Sequence, residues 1–397
     1  MTNTTLLTEA LHDWSQEVAV PHDLAERALA GRRQVRRRRA VPLLAGLVTA
    51  TAVAVAVTAA GSWGPLGDAA RQAVPAFQDD LAVSADTTHQ PPETLVAAGD
   101  IAVSAIVTAS WDPVGTDGWE TLHRHYAVLD PSSGRYRATD WSAVSVAPGL
   151  GTAAVLEGDL PASRIGMLDL DSGEVTRWIP TDHPVASLAW SADGSHVVAT
   201  AYDADPDLQK PTGNDSFRLA DTRRTGFVLV DPEAGTASFT SLPNREMNVG
   251  RADVGFTADG KAVWSPSGTP DELFFDLDGL PTDGKRENLN ANLGVDAAAL
   301  PITSPDGRFT ITRDSGLPTA ITDNDTGHEY RQPALQVLGW ADDEHVVTLA
   351  GCSDPCKGTD EFKNGLVLMR YDGTDRVPLT GTRKGSAGDW YFQLTPR

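Results

Sequence analysis

The chain has 397 residues, 41% of them hydrophobic, with 32 Lys and Arg against 54 Asp and Glu, a formal charge of -22. That length suits one large domain or two ordinary ones. The composition excludes a wholly disordered or collagen-like chain, and the acidic balance argues against nucleic acid as a partner, because phosphates attract basic faces.

Charge is unevenly placed along the chain. Residues 1–40 hold seven Arg and five acids, residues 41–60 hold no charge, and the remainder carries 25 basic and 49 acidic residues. Within the head, Leu6, Leu7, Leu11 and Trp14 fall on one face if Thr5–Val18 is helical, and Pro21 with Asp23 marks a second helix start. The head is too short to bury a core, so it reads as a solvated tail or as a docking segment for a cytoplasmic partner.

The uncharged stretch VPLLAGLVTATAVAVAVTAA is long enough to span a bilayer as a helix, and six Arg lie within Gly31–Arg39, directly before it. The positive-inside rule then places the N-terminus in the cytoplasm and the bulk of the chain outside the cell membrane, as a single-pass protein. A cleaved signal peptide is the rival reading, with TAAG at 58–61 as the cleavage site, although the head and the apolar core are both long for one. Residues 61–92 mix Ala, Asp, Gln, Pro and Gly and read as a juxtamembrane linker ending at Pro91–Pro92.

From Glu93 to Arg397 the chain repeats itself. One signature is an apolar run, a tight turn and a second apolar run: SLAWSADGSHVVATAY (187–202), DVGFTADGKAVWSP (253–266), AALPITSPDGRFTITR (298–313) and QVLGWADDEHVVTLA (336–350). A second follows each first: a strand, a turn opened by Asp and closed by Gly, and another strand. Its turns are DPSSG (130–134), DLDSG (169–173), DPEAG (231–235), DLDG (276–279), DNDTG (323–327) and YDG (371–373). Six such units of four strands predict an all-β fold, a six-bladed β-propeller. The C-terminal AGDWYFQLTPR matches the first strand of the repeat and then stops, so it is expected to complete blade 1 and leave no open edge.

These repeats, with LAWSADG, GFTADG and ITSPDG, resemble the TolB-type, WD40-like propellers, and the order of Arg-rich head, single span and propeller resembles actinobacterial membrane-anchored propeller proteins. The resemblance implies an extracytoplasmic binding module. It implies no catalytic residue, since propellers host many unrelated activities.

The search for chemistry leaves few candidates and predicts no enzyme, no catalytic residue, no metal and no cofactor. The Asp-rich turns echo fragments of a Ca²⁺ loop but lack its frame and its flanking helices. His123 and His125 share one side of a strand, with no third ligand apparent. Asp253 and Asp296 begin two innermost strands and are the acids that a lactonase-like or glycan-acting propeller would need. Cys352 and Cys356, the two cysteines, predict a disulfide outside the cytoplasm that shapes one loop.

Loop lengths point to a binding face. The segments 110–120, 203–224 and 351–364 are long, and those of blades 4 and 5 are short. The long segments carry Trp111, Trp119, Phe217 and Phe362, the predicted partner-binding residues, with Trp111 and Trp119 as anchors. The expected partner is a protein, peptide or cell-envelope component. The alternatives are a transmembrane signalling role, in which the head docks a transcriptional regulator, and the propeller enzyme.

Overall fold

The computed structural model describes residues 82–213, 216–242, 250–266, 272–284, 295–296, 300–314, 317–351, 363–383 and 390–397. All belong to the second of two units, Gln72–Arg397. The head, the apolar stretch 41–60, the linker up to 81, both cysteines and Phe362 lie outside the described residues. Among the described residues no helix is long and apolar enough to cross a membrane.

The described structure is all β, built of antiparallel meanders in sequence order. The first runs Ile101–Val114, Trp119–Asp130 and Arg135–Ala138. The second runs Ala143–Val146, Thr152–Leu156 and Ala162–Asp169, and passes into Val175–Trp190. That long strand serves two meanders, since its C-terminal part pairs with Val197–Tyr202, followed by Arg224–Asp231 and Thr236–Ser241. Further meanders follow at 255–282, 309–331 and 336–378. The C-terminal strand Tyr391–Pro396 returns to the first and pairs antiparallel with Ile101–Val114, from Tyr391↔Val107 to Pro396↔Ile101.

Each hydrophobic core lies between consecutive meanders. Val107 and Val128 of the first pack with Val146 and Val155 of the second. Phe227 and Leu229 of the third pack with Phe256 and Phe275. Phe309 and Ile311 pack with Trp340 and Val367. Leu349 and Leu368 close on Ile101, Phe392 and Leu394. These strands read as nearly continuous Val, Ile, Leu and Phe because both of their faces are covered. Two repeat-position tryptophans stitch neighbours together: the Trp190 indole N–H donates to the Ser145 carbonyl at 2.8 Å, and that of Trp340 to the Ile302 carbonyl at 2.9 Å.

The turn chemistry recurs. In three copies of the first signature a hydroxyl donates to the Asp two residues on: Ser191 to Asp193, Thr257 to Asp259 and Ser304 to Asp306, at 2.6–2.7 Å. In the second, Asp130 accepts from the backbone and hydroxyl of Ser132 and from the hydroxyl of Ser133, while Gly134, at φ +62°, closes the turn. Asp169, Asp231, Asp276 and Asp323 likewise accept local backbone N–H groups. The Asp that opens each of these turns is thus engaged by its own turn.

Sheet structure begins before residue 93. Val83–Ser84 pairs with Ala97–Ala98. The buried Asp86 carboxylate collects the backbone N–H groups of His89, Glu93 and Thr94 and the His89 ring, and the Asp86 N–H donates to the Leu379 carbonyl. Part of the expected linker is thus laid against the meander at 336–378.

Candidate functional site: a composite sheet built from two insertions

The long segments 110–120 and 203–224 were expected as loops. Both contribute strands, and these meet. Ile101–Val114 and Trp119–Asp130 continue well past the meander as one hairpin, paired without interruption from Ala105↔Val128 to Val114↔Trp119. Its tip is Gly115–Gly118, with φ of +65° and +76° at the two glycines, a left-handed conformation that a β-branched residue resists. Within 203–224, Gln209–Gly213 and Ser216–Leu219 form a second hairpin. The pairing Gln209↔Glu120 joins the two, so first-meander and third-meander insertions make one four-stranded extension, with Ser216–Leu219 at its outer edge.

Cross-strand partners share a face, because successive side chains alternate. One face carries Trp111 with Leu122, Pro113 with Glu120 and Gln209, and Pro211 with Phe217. The other carries Val114 with Trp119, Asp112 with Thr121, Ser110 with His123, and Lys210 with Arg218. Trp111 and Trp119, expected as joint anchors, therefore stand on opposite faces, and Trp119 is half-buried. Trp111 is 42% exposed and Phe217 56%. With Val114 they are three of the four large apolar side chains exposed among the described residues.

An ion network locks the extension to the body. Asp207 accepts two bonds from Arg124 (2.6 and 3.2 Å) and two from Arg251 (2.8 and 2.5 Å), a carboxylate gripped by two guanidinium forks. Arg251 also reaches Asp253 at 3.0 Å and the Ala186 carbonyl, and the Tyr202 hydroxyl donates to Asp253 at 2.8 Å. Burial alone would raise the Asp207 pKa, but the two cations outweigh it and hold the carboxyl well below the usual range. Burial and the Asp253 charge push the Tyr202 hydroxyl far up, so it stays a donor. Thr121 bonds Asp205, and the Gln209 side chain bonds Glu120 at 2.9 Å.

The remaining candidates are placed as follows. His125 contacts Ser110 at 3.1 Å, and His123 lies 3.8 Å from Asp112. Among the described residues no three His, Cys, Asp or Glu side chains are grouped to hold a metal ion. Asp253 is held by Arg251 and Tyr202. Val295–Asp296 pairs in parallel with the C-terminal strand, Asp296 opposite Gln393. Sequence reasoning missed Arg124, Asp207, Arg251 and Tyr202 as a unit, since no spacing links them. The available signal was only that 203–224 mixes acids with two prolines and a single glycine.

The sequence matches no protein family and no curated protein. Some solved structures overlay it loosely. TolB from Acinetobacter baumannii is 18% identical, over 76% of this chain and 68% of that one, with a TM-score of 0.34. Kuenenia stuttgartiensis hydrazine synthase is 12% identical, over 77% and 81%, with a TM-score of 0.30. A chain of a mitotic checkpoint complex is 13% identical, over 83% and 90%, with a TM-score of 0.35. The β-propeller reading of the meanders rests on their pairing and cores, not on these overlays.

Proposed function

We propose that the meanders are six blades of a ring closed by Tyr391–Pro396, and that the chain is a non-catalytic, membrane-anchored, extracytoplasmic binding module for a protein or peptide. The composite sheet is its interaction surface. One observation carries this reading: insertions from the first and third meanders join into a single sheet that displays Trp111 and Phe217. Large aromatic side chains held on a firm scaffold are favoured anchors, because they add contact area at little ordering cost. The engagement of Asp253 by Arg251 and Tyr202 favours binding over an acid–base role for that residue.

In-cell crosslinking from the composite sheet tests it. Replacing Trp111 and Phe217 together with Ala is expected to leave the melting temperature unchanged and weaken partner capture by about 2 kcal/mol. Unchanged capture sinks the reading. Protease added to intact protoplasts should remove the propeller and spare a fragment ending near residue 60, whereas full protection would overturn the anchored topology.

A further inference from the structure

The outer edge of the composite sheet has a chemistry that selects a ligand, and this inference rests on the reading of that sheet as an interaction surface. Ser216–Leu219 is its last strand. The Ala220 N–H donates to the Leu208 carbonyl, and hydrogen-bonded pairs alternate along an antiparallel ladder. Lys210↔Arg218 is therefore a bonded pair, while Pro211↔Phe217 and Gln209↔Leu219 are not. Pro211, which has no N–H, fits that phase. The backbone N–H and C=O groups of Phe217 and Leu219 consequently point outward, on a side that no described strand pairs.

Charge adds the second half. Lys210 and Arg218 sit directly opposite one another, and no carboxylate among the described residues pairs with either. Like charges opposite each other in a ladder are unfavourable, and this pair persists in a chain of net charge -22, where carboxylates are abundant. Phe217, exposed, lies on the other face of the same strand.

We infer that the edge at Phe217–Leu219 captures an extended peptide as an added β-strand, one whose acidic side chain lies beside Arg218 and Lys210 while apolar side chains on either side of it lie beside Phe217 and Leu219. The peptide's backbone supplies the outward bonds and the alternation supplies the specificity. A second copy of this chain docking about a twofold at Arg218 would set two arginines together, so the occupant is a different, acidic strand. Charged edge residues also guard sheets against aggregation. A guard works with either sign of charge, and a receptor does not.

The experiment measures fluorescence anisotropy of labelled eight-residue peptides with the purified full chain. One peptide alternates valine and glutamate, a second alternates valine and lysine, and a third is the glutamate peptide N-methylated along one edge. The glutamate peptide should bind about tenfold more tightly than the lysine peptide, with the preference reversed in the Lys210→Glu, Arg218→Glu double variant. N-methylation should abolish binding, a control that alters no residue of the protein. Equal affinity for the two charges, binding that survives N-methylation, no binding of any peptide, or self-association through this edge in sedimentation would each overturn the inference. In the in-cell capture assay, Trp111→Ala reducing capture while the double variant does not would overturn this inference and keep the interaction surface. If neither variant affects capture, both fall.

Discussion

The body of meanders and the composite sheet are both antiparallel β, yet different forces hold them. In the body, Phe309 is fully buried, stacks on Tyr371 with centroids 4.3 Å apart and lies 5.9 Å from Trp340. In the composite sheet the large apolar side chains Trp111, Val114 and Phe217 face outward, and a carboxylate between two guanidinium groups does the fastening. Apolar burial is non-directional and tolerates repetition from one meander to the next. A forked ion pair is directional, so it fixes one insertion against another at one place.

The sharpest way to separate the two regions is to damage each in turn. Phe309→Ala removes a ring from a closed core and should lower unfolding free energy by about 3–5 kcal/mol in urea titration. Asp207→Ala leaves Arg124 without its carboxylate and Arg251 with Asp253 alone, and should cost about 3 kcal/mol. Its signature should be early proteolysis at the tip Gly115–Gly118 while the meanders remain protected. If Asp207→Ala instead unfolds everything together, the composite sheet is not a separable layer.

Acid addresses the body's turns. Asp130 and Asp193 are held down to about 2, from an ordinary 3.8, chiefly by hydroxyl donors. Their folded values lie below their unfolded ones, so the stability they supply is complete above about pH 4 and drains away as pH falls toward 2. The urea midpoint should fall across that window, and Asp193→Asn should flatten part of the fall. The smallest effect on stability is expected for Trp111→Ala, within about 0.5 kcal/mol by thermal melting, because the side chain packs outward. A large loss there would mean that Trp111 belongs to the core after all.

The body was legible because its determinants are local. The hydroxyl, Asp and Gly of Ser191, Asp193 and Gly194 fall within four residues, and the Asp130-to-Gly134 turn within five. The pairing of the C-terminal segment with the first meander was also legible, since the segment copies a repeated pattern. The composite sheet was not. Arg124 and Asp207 are 83 residues apart, and Asp207 and Arg251 are 44 apart, with no periodicity between them. Pro113, Gly115 and Gly118 made the long hairpin look like a loop. Pro113 is tolerated because it lies beyond Val107, where Ile101–Val114 has already lost its C-terminal partner and one side of the strand is open.

The long strand has a mechanical meaning. The Ala82 carbonyl accepts from the Gly99 N–H, beside the root of Ile101–Val114. Over its fourteen residues that strand reaches the outer hairpin, a span of roughly 45 Å at the usual rise per residue. If the N-terminus is anchored and the composite sheet engages a partner as proposed, tension between the two would run along this single strand. Its first half lies antiparallel to Tyr391–Pro396, so the ladder between them would be loaded lengthwise, with all its bonds sharing the strain at once rather than opening one by one.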